Sequence, residues 1–141
     1  MRHAAEAWLE CLQANGCRLT GSRRTVVEIV AGSSKVLTPL DVYEEARIGH
    51  PGIGLVTVYR TLEKLEELGL IQRVHQPSGC QAFTAALTGH QHLLICQHCG
   101  KVRHFSGDHL DGLVGNVEAE SGFHVDEHWL QLFGLCPDCS D

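Results

Sequence analysis

No apolar run in this chain approaches the ~20 residues that a helix needs to cross a bilayer. A basic-then-apolar leader is missing too, because Glu6 and Glu10 interrupt the N-terminal segment. The expectation is therefore a cytoplasmic protein that does not enter the membrane. Internal repeats and low-complexity stretches are absent, and no His-Glu-x-x-His or comparable motif occurs, which argues against a metallohydrolase. Basic residues nearly vanish from the second half. Residues 77–141 hold only Lys101 and Arg103 against eight acidic residues, and so carry the whole formal charge of −6. Residues 1–76 balance nine Lys/Arg against nine Asp/Glu. That contrast predicts two units with different partners, the acidic one suited to cations.

What the chain does have is cysteine and histidine. Seven cysteines and ten histidines stand in 141 residues, and seven of the histidines follow residue 76. Thiols stay reduced in the cytosol, so a Cys-x-x-Cys there points to metal or redox chemistry rather than a disulfide framework. Cys96-x-x-Cys99 and Cys136-x-x-Cys139 each form a tight chelating turn. Two such turns make the closed S4 site of a structural zinc, with a redox dithiol or unpaired thiols as the competing readings. His90 and His92 lie on one face of an extended segment, His128 lies on the outward face of the last strand, and Asp111 on the helix between. Three imidazoles and a carboxylate suit zinc, iron, manganese or nickel, with scattered surface histidines as the alternative. Cys11 and Cys17 have no close ligand-type partner in sequence and read as structural thiols.

The periodicity predicts four helices, then strands. Apolar residues recur at helical spacing from Ala4 to Ala14, with Gly16 as the stop. Thr20 is the cap expected for a second helix, with Arg18, Arg23 and Arg24 around its start. Thr38-Pro39-Leu40-Asp41 opens a third. A fourth runs from about Leu55 to Leu68, with Thr57, Tyr59, Arg60 and Lys64 on its polar face. Ile71–His75 and Cys80–Thr84 flank a Pro/Gly turn and predict a β-hairpin. Helices followed by a two-stranded wing predict a winged helix, whose last helix enters the DNA major groove. The bland reading is a solvated face on a helical bundle, since residues 1–76 are not basic overall. Beyond residue 85, strands at Gln91–Ile95 and Lys101–Phe105 are expected. A helix at Asp108–Ala119 should follow, with Leu110, Leu113, Val114 and Val117 inward, and then a long strand at Phe123–Leu135. The fold class is α+β: a winged-helix unit at 1–85 and a zinc-stapled dimerisation and metal-binding unit at 86–141.

These residues carry a family resemblance over nearly the full length. Leu19-Thr20-x-x-Arg23, Gly54-Leu-Val-Thr57-Val-Tyr59-Arg60-Thr-Leu62, Gly69-Leu70-Ile71, the run His92 to Val102, and Gly134-Leu-Cys136-x-x-Cys139 resemble the ferric uptake regulator family of metal-dependent bacterial repressors. The resemblance implies a homodimer that binds a palindromic double-stranded DNA operator when a regulatory metal is held. Position by position, it implies structural zinc on Cys96, Cys99, Cys136 and Cys139. It also implies a second divalent ion on His90, His92, Asp111 and His128.

The departure is at the site that in this family bridges the two units. Thr84, Gln91 and Leu93 occupy expected ligand positions there, Lys35 and Val36 replace a histidine before the third helix, and only His104 is ligand-capable. His75 and Cys80 flank the wing turn and are candidate replacements. Either the strand slips by one residue, or the hinge site is lost or rebuilt. The second is preferred, because a slip would turn His90 and His92 away from Asp111 and His128. Zinc is the sensed metal expected, with iron, manganese, nickel or peroxide-sensing variants as alternatives. Arg60 and Tyr59 are expected at bases, with Thr57 beside them, and Arg18, Arg23 and Arg24 at phosphates. A zinc-stapled interaction module without DNA activity is the rival.

Overall fold

The computed structural model describes residues 2–86, 91–107 and 109–140. Four helices come first: α1 (Arg2–Ala14), α2 (Gly21–Ala31), α3 (Pro39–Gly49) and α4 (Leu55–Glu67). Their starts follow local chemistry. The Thr20 hydroxyl accepts from the Arg23 N–H, satisfying an otherwise orphaned donor of α2. Thr38 and Asp41 form a reciprocal capping box around Pro39 at the start of α3. The apolar faces of the four helices meet in one core of Leu9, Leu12, Val26, Val27, Val42, Val58, Leu62 and Leu65.

The hairpin β1 (Ile71–His75) and β2 (Gln81–Ala85) pairs antiparallel, with Ile71 opposite Ala85 and His75 opposite Gln81. Its turn needs Gly79 at φ +84°, a left-handed conformation that side chains disfavour. Arg73 ties the wing to α4 through a 2.6 Å ion pair with Glu66 and lies over the Phe83 ring. Helices plus this wing make the expected winged helix.

A second sheet has the order β4-β3-β5, from β3 (His92–Cys96), β4 (Val102–Phe105) and β5 (Gln131–Gly134). β4 runs antiparallel to β3, while β5 runs parallel to it, with Cys96 opposite Gly134. The parallel pairing follows from the crossover through α5 (Asp111–Ser121), which Gly122 ends at φ +76°.

Two expectations are corrected here. The long strand at Phe123–Leu135 reduces to Gln131–Gly134. A strand needs a ladder partner, and β3, its neighbour among the described residues, begins only at His92, level with the Leu93 N–H to Leu130 carbonyl bond of 3.2 Å. The inward face expected on the following helix is not inward within the chain. No residue of α5 is buried, and Leu113 and Val117 are 58% and 43% exposed, because no other element among the described residues covers that face. The first residue of that expected helix, Asp108, lies outside the described residues.

A second core joins the two sheets. Val36, Val74 and Ala82 pack against Leu93 and Ile95, drawing from both sides of residue 85. The segment before α3 threads between them. The Val36 N–H donates to Gly100 (2.9 Å) and Val102 N–H to Ser34 (3.0 Å), while Leu37 and Phe83 exchange bonds of 2.9 and 2.8 Å. Gln131 of β5 adds a side-chain bond to the His75 N–H at 3.2 Å.

Candidate functional site

Cys96 ends β3, and a turn closed by the Gly100 N–H to Cys96 carbonyl bond (2.9 Å) brings Cys99 back beside it. Parallel pairing sets Gly134 opposite Cys96, so the chain leaving β5 delivers Cys136 to the same place. A second turn, with the Cys139 N–H on the Cys136 carbonyl at 2.9 Å, supplies Cys139. The four sulfurs lie within 4.8 Å of one another, the one such group of three or more ligands among the described residues. The Cys99 and Cys136 sulfurs are 3.8 Å apart. Sulfurs held ~2.3 Å from a tetrahedral zinc would be separated by about 3.8 Å, so the donor set fits that ion. Lys101 and Asp138 form an exposed 3.4 Å ion pair across the two turns.

The thiols are electrostatically unequal. N–H donation from Cys99 and from Cys136 (3.4 Å to the sulfur) holds Cys96 down at about 5, against the opposing effect of burial. Cys139 is pushed up to about 12, first by its hydrogen-bonded contact with the Cys136 side chain and then by burial. Protons shared among crowded thiols are those a metal displaces on binding.

Of the second expected set, His92 is buried and stacks on His128, ring centroids 5.3 Å apart at 28°, with Phe105 against its other side at 5.4 Å. Asp111 is exposed in the first turn of α5 and is not gathered with the two rings in this chain. His90 lies outside the described residues.

The candidate hinge residues are dispersed. His75 and Cys80 are exposed at the wing tip, and His104 is exposed on β4 opposite Leu93; the three do not converge to the reach of one ion among the described residues. Leu93 and Thr84 are buried, at 1% and 6% exposed, and Leu93 belongs to the core that joins the sheets.

On the winged helix, Arg23, Arg60 and Lys64 line one concavity of about 130 Å³, floored by Leu12, Cys17 and Thr61. The Arg23 guanidinium is steadied by a 2.8 Å bond to the Arg18 carbonyl. Arg18 and Arg24 are exposed around the α2 start, Thr57 is half-buried in α4, and Tyr59 and Arg60 are exposed there. Lys64 was legible as polar in sequence; its convergence with Arg23 required the packing of α2 on α4.

A winged helix joined to a small sheet that carries a four-thiol site is the architecture of a metalloregulatory protein. The model of the ferric uptake regulator family matches residues 14–133, and the chain belongs to that family, whose members are transcriptional regulators and not enzymes. Among sequence relatives, the peroxide operon regulator of Bacillus subtilis is 30% identical over 98% of this chain and 94% of its own length. Among solved structures, the Vibrio cholerae ferric uptake regulator is 27% identical with a TM-score of 0.68, covering 90% of this chain and 98% of that one. The Helicobacter pylori ferric uptake regulator has a TM-score of 0.73 at 23% identity, over 97% and 94% of the two chains, which concerns the fold alone. Among the described residues, no helix is long and apolar enough to cross a membrane.

Proposed function

We propose that this chain is a cytoplasmic, homodimeric, metal-responsive repressor that binds a palindromic DNA operator and controls zinc homeostasis genes. The carrying observation is the convergence of Arg23, Arg60 and Lys64 beside the exposed first turns of α4, in a unit whose other half holds four clustered thiols. Phosphate neutralisation supplies most non-specific DNA affinity, here from Arg23 and Lys64, while Thr57, Tyr59 and Arg60 supply base contacts. Arg18 and Arg24 reach flanking phosphates.

Residues 1–85 form the DNA-binding domain in this reading, and 86–141 the dimerisation domain. Cys96, Cys99, Cys136 and Cys139 hold a structural zinc. His90, His92, Asp111 and His128 hold the exchangeable ion, zinc by preference; the His92–His128 stack supports it, since imidazole suits zinc as well as iron, manganese and nickel. His75, Cys80 and His104 are left without an assigned ion. An ion at the His/Asp site favours the DNA-competent arrangement only by binding it more tightly than the alternatives. The exposed faces of α5 and of Phe123, Trp129 and Leu135, at 74%, 71% and 57% exposed, supply the surface for a second copy.

The test combines metal analysis with operator binding. A single tightly held zinc per chain that survives mild chelation, plus an exchangeable ion whose addition raises operator affinity, is the expected result. Operator binding that is absent with every added metal would leave only the zinc-stapled interaction module. A response to iron or manganese but not zinc would replace the zinc assignment by that of the peroxide- or iron-responsive relatives.

A further inference from the structure

The outer face of α4 changes character along its length. Val58, Thr61, Leu62 and Leu65 are buried in the helical core. The opposite stripe begins with Val56 and Tyr59, which are 61% and 48% exposed, continues through exposed Arg60, and ends in Glu63 and Glu67. Carboxylates at the far end oppose a phosphate-lined groove, so the first turn and a half is the part that can approach a duplex. Arg60 leans into the concavity it shares with Arg23 and Lys64. Of the two exposed apolar side chains in the first turn, Leu55 at 40% and Val56 at 61%, Val56 stands further out, and it is not covered by another element among the described residues.

A valine so placed does nothing for the core and disfavours the helix slightly relative to alanine. What the major groove offers an apolar side chain is the C5-methyl group of thymine, which sits beside the donor and acceptor pattern that polar residues read. We propose that Val56 is a specificity-determining residue that packs on a thymine methyl in each half-site. Operator choice would then depend on a methyl contact as well as on Arg60. The inference rests on the reading of α4 as the groove-entering helix.

The experiment separates the two. A high-affinity duplex is first selected from a random-sequence library with the zinc-loaded wild-type protein, and each thymidine is then replaced singly by deoxyuridine. That change removes a methyl group and leaves every hydrogen-bonding group in place. At one position per half-site the wild type should lose about fourfold in affinity, the value of one buried methyl group, and roughly fifteenfold when both half-sites are changed. Val56→Ala should bind the thymidine and deoxyuridine duplexes equally at that position while still discriminating at others. Unaltered discrimination by Val56→Ala, or no sensitive position in the wild type, would overturn the assignment even where Arg60→Ala abolishes binding. If no duplex is enriched, or Arg60→Ala binds undiminished, the groove-entering reading of α4 fails and the Val56 inference fails with it. Val56 is exposed, so the alanine variant keeps the wild-type circular dichroism spectrum.

Discussion

Leu93 is the residue through which the second sheet grips the wing. It is 1% exposed, lies in the middle strand between two ladders, and packs with Val36, Val74, Ala82 and Ile95. Replacing it by alanine removes three carbons from a site that cannot readily collapse, because backbone hydrogen bonds fix β3 on both sides. Buried Leu→Ala changes cost about 2–5 kcal/mol, rising with the cavity left behind, and the rigid surroundings place this one near 3–4 kcal/mol. With a urea dependence of ~2 kcal/mol per M, the unfolding midpoint falls by about 1.5–2 M. The assay is equilibrium unfolding at fixed protomer concentration and fixed zinc, followed by circular dichroism and by the fluorescence of Trp8, which packs against the helical core. Leu94→Ala is the control: it adjoins Leu93 but points to the opposite face, is 42% exposed, and should lose less than about 1.5 kcal/mol. A midpoint shift under about 0.5 M for Leu93→Ala, or equal shifts for the two variants, would refute the idea that this apolar joint carries much of the attachment between the sheets.

Four further outcomes follow from the same structure. Cys136→Ser should release the tightly held zinc and melt the β4-β3-β5 sheet while α1–α4 stay helical, read by metal analysis and circular dichroism; retention of stoichiometric zinc would count against the four-thiol site. His128→Ala should lose the exchangeable ion and the metal response of DNA binding but keep the tight zinc, a split visible by isothermal titration before and after chelation. Arg23→Ala and Lys64→Ala should each weaken binding to all duplexes alike and reduce the slope of log affinity against log salt by about 1, whereas a sequence-selective loss would reassign them from phosphates to bases. Trp129→Glu should shift sedimentation equilibrium towards the monomer, and an unchanged dimer would place the interface elsewhere.

The winged helix was legible because its signals are local. Thr20, the Thr38–Asp41 box and the Pro/Gly turn before Cys80 each fix an element boundary through short-range hydrogen bonding or backbone preference, and the four-helix core follows from apolar spacing. The four-thiol site was equally readable, because each Cys-x-x-Cys turn is self-contained and needs only a partner turn. Longer-range features were not. Periodicity marked Leu113 and Val117 as inward, yet they are exposed, because a local apolar pattern does not say whether another element packs over it. The stretch Phe123–Leu130 has strand-like alternation, yet alternation cannot supply a ladder partner. Lys35 and Val36 were noticed only as missing ligands. That Val36 is buried at the joint between the sheets depends on pairings with residues far along the chain, which no local pattern encodes.

The threading of Ser34–Leu37 between the sheets has a mechanical meaning. Gly100, which closes the first cysteine turn, accepts the Val36 N–H, and two residues after Val36 comes Thr38, the cap of α3. The thiol cluster and the scaffold that holds α4 are thus coupled by a few bonded residues rather than across a flexible linker. Slack introduced at the cysteine turns would reach the capping box through one short strap, and the amides of Val36 and Val102 should exchange with solvent together, as a pair, whenever that strap lifts.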